Sequence, residues 1–121
     1  MEQMTPQMLE ERLIDFAVII IGIVEGLPNS KAGNHIANQL VRSGASPAPN
    51  YGEAQSAGYR KDFIHKMKIS LEELRETMIW LKIIARKRMC GIDQVQTAVA
   101  ECDELVAIFA SGTKTADQNS R

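Results

Sequence analysis

"QLVRSGASPAPNYGEA" (residues 39–54) decides how the chain folds, because it sets two prolines inside a run of helix-forming residues. A helix has free backbone N–H groups only in its first turn, so proline is tolerated there and is costly in the interior. A break at Gly44 and a new start capped by Ser46 would put Pro47 first and Pro49 third in the following helix. The stretch therefore predicts a helix that is kinked or interrupted near residue 46.

Apolar residues at alternating spacings of three and four predict further helices on both sides of this segment. In the first helix, Thr5 is the predicted N-cap, Pro6 takes the first position and Gly26 ends the element. Gly91 closes the predicted third helix, and Asp93 is the predicted N-cap of the fourth. In chain order the four predicted segments are residues 7–25, 30–57 with the interruption, 59–89 and 93–110.

The apolar seams indicate how these helices pack. The seam of the third helix is unbroken and consists of Ile64, Met67, Leu71, Leu74, Met78, Leu81 and Ala85. Four helices with short loops and heptad-like seams predict an all-α, up-down antiparallel four-helix bundle with a kinked or interrupted second helix. We expect one domain over residues 1–121, with an ordered core of about 5–112 and a frayed polar tail over 113–121.

Composition narrows the class of protein. Apolar residues make up 45% of the chain and aromatic residues 5%, a mixture that favours helix-on-helix packing. Cys90 and Cys102 stand alone, which indicates packed, reduced thiols rather than a disulfide or a metal site. The apolar run 16–24 is too short to cross a membrane, and the N-terminus lacks the pattern of a secretory signal. We therefore expect a cytoplasmic protein that has no membrane partner.

Residues 39–54 also carry a signature: Gln-Leu-x-Arg-Ser, then Ser, then Asn-Tyr-x-Glu-Ala. With "LP" at 27–28, "DFIHKMKISLEELRET" at 62–77 and "WL" at 80–81, it resembles the 23S rRNA-intervening-sequence family over roughly residues 16–84. Many relatives have an aliphatic residue and a glycine where Pro47-Ala48-Pro49 stands here. The resemblance implies a bacterial cytoplasmic bundle that assembles into a ring-shaped homopentamer, without a settled activity. Its signature residues, to which we assign structural roles, are Gln39, Arg42, Ser43, Ser46, Asn50, Tyr51 and Glu53.

Charge is segregated by helix although the net charge is only −1. Residues 59–89 hold nine Lys/Arg against four Asp/Glu, whereas residues 7–25 hold one against four and residues 93–110 none against four. In the third helix a basic row recurs every seven residues and continues at the C-terminal end: Lys61, Lys68, Arg75, Lys82, then Arg86, Lys87 and Arg88. Such a row suits the phosphate backbone of RNA or DNA. The alternative is a set of ion pairs with the acidic first and fourth helices.

A second apolar set lies off the seams of two helices. On the third helix it consists of Ile69, Trp80 and Ile83, and on the first of Ile14, Val18 and Ile21. One bundle core needs one stripe per helix, so the extra stripes predict an interface between subunits of a homo-oligomer. A wide core beneath long loops is the alternative explanation.

No complete set of catalytic residues, metal ligands or cofactor-binding residues can be assembled from the sequence. Arg42 and Glu53 are expected to pair across the kink, and the Asp62–His65 spacing is an incomplete fragment of a di-iron motif. The favoured interpretation is a non-enzymatic homo-oligomeric bundle whose basic helix binds RNA or DNA. The main alternative is a ring-shaped scaffold that recruits another protein. A helix-turn-helix regulator built from residues 31–57 and an enzyme are weaker alternatives.

Overall fold

This computed structural model describes residues 4–119 of the chain, and every regular element within that range is an α-helix. Short loops connect the helices up and down, and α2 and α3 together form one arm of the bundle. The sequence-based prediction of an all-α four-helix bundle with an interrupted second helix is therefore confirmed. The helices are α1 (Pro6–Glu25), α2 (Lys31–Ala45), α3 (Pro47–Gln55), α4 (Arg60–Lys87) and α5 (Ile92–Asn119).

Helix α1 begins and ends where the sequence predicts. The Thr5 hydroxyl accepts a hydrogen bond from the Met8 backbone N–H at 3.1 Å, and Pro6 occupies the first helical position. This arrangement satisfies one free N–H group of the first turn and places proline where no N–H is needed. Gly26 ends the helix, and its backbone N–H donates to the carbonyl oxygen of Ile23.

The bend between α2 and α3 has a different cause from the one predicted. Gly44 lies inside α2 and is buried, so it does not break the helix. Ser46 keeps helical angles (φ −67°, ψ −37°) and makes no side-chain cap. Its hydroxyl instead accepts a hydrogen bond from the Asn50 amide at 2.8 Å. The helix bends at Ser46 because the following Pro47 and Pro49 have no N–H groups to continue the ladder.

Gly44 marks a close approach between α2 and α1. A Cβ atom at this position would lie 2.7 Å from Cγ2 of Ile20, closer than two carbon atoms can pack. Other inward-facing side chains of α1 are also buried: Ile23 after Ile20, and Phe16 and Leu13 before it. Glycine is therefore required by packing at this helix crossing rather than by backbone geometry.

The last two helices differ from the predicted bounds. Helix α4 ends at Lys87, and its C-cap is Arg88, which has a left-handed backbone conformation (φ 54°). The sequence predicts that Gly91 closes this helix, so the helix ends earlier than predicted. Helix α5 begins at Ile92, so Asp93 is its second residue rather than its cap, and the helix continues to Asn119 instead of ending at 110. Residues 113–119 of the predicted frayed tail are helical, with Thr113 and Ala116 buried, whereas residues 120–121 lie outside the described range.

The core line of α4 is shifted by part of a turn from the predicted seam. Of the seven seam residues, Met67, Leu74 and Leu81 are buried and the other four are half-buried. Ser70, Thr77 and Ile84 complete the buried line. Both hydroxyls satisfy their hydrogen-bonding needs by donating to carbonyl oxygens one turn earlier, which lets polar residues occupy core positions.

Both cysteines are free thiols. Cys102 is completely buried, and its thiol donates to the carbonyl oxygen of Leu74 at 3.2 Å, which joins α5 to α4. Burial raises the pKa of the Cys102 thiol to about 12, and the neighbouring carboxylates Asp103 and Glu101 add to this effect. Cys90 is half-buried in the loop between α4 and α5.

We expect Gly44→Ala to destabilise the fold by about 1–3 kcal/mol, because the new methyl group would overlap Ile20 in a close-packed core. Gly91→Ala is the matched control, since a Cβ there meets no atom within 4 Å. Urea denaturation of both variants measures the difference. Equal stabilities would show that α1 and α2 do not approach as closely as described.

We expect alkylation at pH 8 to modify Cys90 much faster than Cys102. The thiolate is the reactive form, and a thiol with a pKa of about 12 is almost wholly protonated at this pH. Mass spectrometry after iodoacetamide treatment measures the two sites separately. Modification of Cys102 should appear only when urea unfolds the protein, and rapid native modification would contradict its buried position.

Candidate interaction surfaces

The bundle sets α1 and α4 at opposite corners. Helix α4 packs against α2, α3 and α5, and α1 packs against the same three segments, but within residues 4–119 no Cα atom of α1 lies within 8 Å of a Cα atom of α4. Each of these two helices consequently has an outer face that points away from the other. All the candidate interaction residues predicted from sequence lie on these two helices or at the end of α4.

The basic row lies along the outer face of α4, on the side next to α5. All four residues of the row are exposed, and Lys68 Nζ lies 3.1 Å from a carboxylate oxygen of Asp117 in α5. Among the described residues, Lys61, Arg75 and Lys82 have no ion pair. The alternative prediction, in which the row pairs with the acidic neighbouring helices of its own chain, therefore holds at Lys68 alone.

The cations at the end of α4 separate into two places. Arg86 continues the row, and with Lys82 it borders a shallow apolar groove beside Ile92 and Val99 of α5. Lys87 and Arg88 lie on the opposite side of α4, at the rim of a groove of about 580 Å³ that Pro28, Ile36 and Ile83 also line. The seven predicted cations thus do not form one continuous surface.

The second apolar set is mostly exposed. Ile14, Val18 and Ile21 form a stripe on the outer face of α1, which we call the α1 stripe, and Val18 is 62% exposed. On α4, Ile83 is exposed whereas Ile69 and Trp80 are half-buried. A wide core would bury these residues, so the structure argues against that explanation of the pattern.

Ile79 was missed by the sequence prediction, although it is 60% exposed and lies one turn before Ile83. Its spacing of four from Ile83 is the signal that could have identified it. With Trp80 and Ile83 it forms an apolar surface that we call the α4 patch. The patch lies on the side of α4 next to α2, because the ring of Trp80 meets His35 of α2 edge-on at 6.1 Å.

The signature residues Arg42 and Ser43 fasten α2 to α4. The Arg42 guanidinium forms ion pairs with Glu73, at 2.9 Å, and with Glu76. The buried Ser43 hydroxyl lies 2.9 Å from Thr77 Oγ1. Glu76 also accepts a hydrogen bond from the Trp80 indole N–H at 3.2 Å, so the signature holds the aromatic residue of the α4 patch in place.

The remaining signature residues stabilise α3 and its contacts. Tyr51 is buried and its ring meets Phe109 of α5 edge-on at 5.7 Å, while burial raises the pKa of its hydroxyl. Glu53 pairs with Lys66 of α4 at 3.3 Å, so the predicted Arg42–Glu53 pair is wrong. The two residues are separated by roughly 16 Å along the bent arm, too far to pair, and each finds a partner on α4. Gln39 lies 3.4 Å from Arg42, and Ser46 and Asn50 support the bend.

Arg12 fastens α1 to α5, as Arg42 fastens α2 to α4. Its guanidinium binds Glu101 through two hydrogen bonds of 2.6 and 2.7 Å, and Glu104 through a third of 2.8 Å. The hydrogen bond to Glu101 raises the pKa of the Arg12 guanidinium above its ordinary value. Arg12 is the one basic residue in α1, so every other charged residue of that helix is acidic.

The described residues give little support to a metal site, a helix-turn-helix motif or a membrane-spanning helix. Among residues 4–119, no three His, Cys, Asp or Glu side chains are grouped so that they could hold a metal ion. The chain passes from α2 to α3 through Ser46 alone, whereas a helix-turn-helix motif joins its helices through a turn of about three or four residues. The predicted alternative of a helix-turn-helix regulator is therefore not supported. None of the helices in the described range has the length and apolar character needed to cross a membrane.

Comparisons with known proteins agree with this architecture. The model of the family described as 23S rRNA-intervening sequence protein matches residues 9–111. A crystal structure of a protein of unknown function from the S23 ribosomal protein family of Bacteroides thetaiotaomicron superposes with a TM-score of 0.82 at 30% identity, covering 92% of this chain and 99% of that chain. Curated proteins gave no match. The chain belongs to the 23S rRNA-intervening sequence protein family.

Proposed function

We propose that this chain is a non-catalytic bacterial cytoplasmic protein that assembles with copies of itself into a homo-oligomer, of which the ring-shaped pentamer implied by the resemblance is the specific form. The observation that carries the proposal is the pair of exposed apolar surfaces, the α1 stripe and the α4 patch. Each surface presents at least two large aliphatic side chains one turn apart, and burying such surface on association is favourable.

The polar clusters support a structural rather than a catalytic role. Arg12, Arg42 and Lys66 each bind a carboxylate on a neighbouring helix, so these charges hold the bundle together. A general acid or base needs access to a substrate proton. In the two arginine clusters the carboxylates are occupied by guanidinium groups, which is the arrangement of a structural ion-pair network.

A second candidate function is the binding of RNA or DNA through the basic row of α4. From Lys61 to Lys82 the row extends over 21 residue steps, or about 31 Å of helix, and its exposed cations recur at intervals of about 10 Å. Within the described part of the chain, three of its four residues have no carboxylate partner. Exposed, unpaired cations can release the counterions of a phosphate backbone. A scaffold that recruits another protein remains the alternative for the same surfaces.

We expect Ile79→Glu to convert the oligomer into monomers of 13.4 kDa, because a carboxylate in an apolar interface would lose its hydration without gaining a partner. Light scattering at micromolar concentration measures the mass. Asn38→Glu, an exposed substitution on α2, is the control and should leave the assembly intact. A monomeric parent protein would disprove the proposed self-assembly.

The nucleic-acid function can be tested at the end of the basic row remote from the α4 patch. We expect Lys61→Gln/Lys68→Gln to weaken binding to RNA or DNA of any sequence and to flatten the slope of log K against log salt by about two units. Lys31→Gln/Lys114→Gln removes two exposed charges elsewhere and is the control. Stability should change little, since the Lys68–Asp117 pair is exposed. An unchanged salt slope would end this interpretation of the row.

A further inference from the structure

Neither capping nor packing explains why a tyrosine stands at position 59. Tyr59 is the N-cap of α4, but its side chain makes no capping hydrogen bond, and Ser, Thr, Asp or Asn would be favoured at this position. It is also 75% exposed, the highest value among the large apolar and aromatic residues that the structure describes. The ring therefore presents its faces to solvent at the end of the bundle where α4 begins.

Two neighbouring cavities open at this end of the bundle. The first, of about 300 Å³, is bordered by Tyr59 and the half-buried Phe63. The second, of about 450 Å³, is bordered by Lys61 and the half-buried Ile64. Arg60 lines both cavities, so its guanidinium group stands between two hollows that each have an apolar wall.

The loop before α4 leaves the approach to Tyr59 open. A Cβ atom added at Gly58 would meet no atom within 4 Å. The α4 patch lies about 20 residues further along the helix, or about 30 Å away, so a ligand at this end does not compete with the proposed self-assembly. The surface around Tyr59 is thus free to receive a ligand in a monomer and in an oligomer.

Unpaired cations continue from the ring along α4. Arg60 and Lys61 are exposed, and neither has an ion pair within residues 4–119. Lys61 is the first residue of the basic row, and Lys68 follows it two turns later. The order along the surface is therefore an aromatic ring, a guanidinium between two partly apolar cavities, and a line of ammonium groups.

The nearby carboxylates do not interrupt this order. Asp117 borders the second cavity, but Lys68 Nζ lies 3.1 Å from its carboxylate. Asp62 precedes Lys66 by four residues, and Lys66 pairs with Glu53 of α3. Residues four apart share one face of a helix, so Asp62 lies on the side of α4 towards α3 rather than on the row.

Alternating cations and flat apolar surfaces match the chemistry of single-stranded nucleic acid. Its phosphates alternate with bases whose faces are free to stack on an aromatic side chain. In a duplex the base faces are stacked on one another, so a duplex could offer phosphates to the cations but no base face to Tyr59. An acidic peptide would likewise satisfy the cations and leave the ring without a partner.

We propose that this end of the bundle binds single-stranded RNA or DNA, with one base stacked on Tyr59 and the adjoining phosphates on Arg60 and Lys61. The proposal rests on the nucleic-acid function proposed above. It adds the strandedness of the ligand and a stacking residue that the charge pattern does not identify. The assigned contacts are to base faces and phosphates, which RNA and DNA share, so strands of both kinds bind.

Removing the ring tests the stacking. The probes are fluorescently labelled oligonucleotides of about ten nucleotides, supplied as a single strand of DNA or RNA, as a DNA duplex and as an abasic DNA strand. Tyr59→Leu should weaken binding of both intact single strands by about 5- to 150-fold in fluorescence anisotropy, and should leave binding of the duplex and of the abasic strand unchanged. Tyr59→Phe is the matched control, which keeps the ring and should keep the affinity.

Salt dependence separates the ring from the cations. Arg60→Gln should flatten the slope of log K against log salt by about one unit, because one phosphate contact is lost. Tyr59→Leu should lower the affinity for single strands without changing that slope, since stacking releases no counterions. A residue with a purely structural role would not produce this division. Circular dichroism of each variant confirms that the bundle is intact.

The outcomes distinguish this proposal from the one on which it rests. A duplex that binds as tightly as the single strand, or an abasic strand that binds as tightly as the intact one, would overturn the stacking and leave nucleic-acid binding standing. Equal losses in Tyr59→Leu and Tyr59→Phe would show that the hydroxyl rather than the ring acts, and would also overturn it. Binding of only RNA or only DNA would overturn the assigned contacts. A parent protein that binds none of the probes would disprove the nucleic-acid function itself.

Discussion

The close contact of α2 with both of its neighbours is the constraint on which the rest of the structure depends. Gly44 allows Ile20 of α1 to approach where a Cβ would stand only 2.7 Å away, and the adjacent Ser43 contacts Thr77 of α4 at 2.9 Å. Two consecutive small residues therefore fix α2 on two sides at once. Interiors are close-packed, so a larger residue at position 44 would overlap the side chain of Ile20.

The bend at Ser46 follows from the same constraint. A straight continuation of α2 would be fixed in direction by its contacts at Gly44, and Pro47 and Pro49 let the chain take a new direction immediately afterwards. The redirected α3 then buries Tyr51 against Phe109 of α5 and places Glu53 beside Lys66 of α4. One arm of the bundle thus contacts all three others, with buried residues and Arg42 of α2 and with Tyr51 and Glu53 of α3.

Local chemistry was predictable from the sequence, and contacts between distant residues were not. Thr5, Pro6 and the proline pair act within a few residues, so the start of α1 and the interruption near 46 could be predicted. Gly44 was interpreted as a helix breaker because its true reason, the approach of Ile20, lies on another helix. Arg42 was assigned to Glu53 because both stand in one motif, whereas its partner Glu73 is 31 residues away. Among residues 111–118, Thr113 and Ala116 alone are buried, a signal too weak to stand out among polar neighbours.

In the proposed assembly, two small apolar surfaces per subunit are enough to hold the oligomer together because the subunits close into a ring. An open chain of subunits leaves one α1 stripe and one α4 patch exposed at its ends, whereas a ring buries both in every copy. The contact that closes the ring joins ends that are already held together, so it costs little further translational entropy and benefits from a high effective concentration.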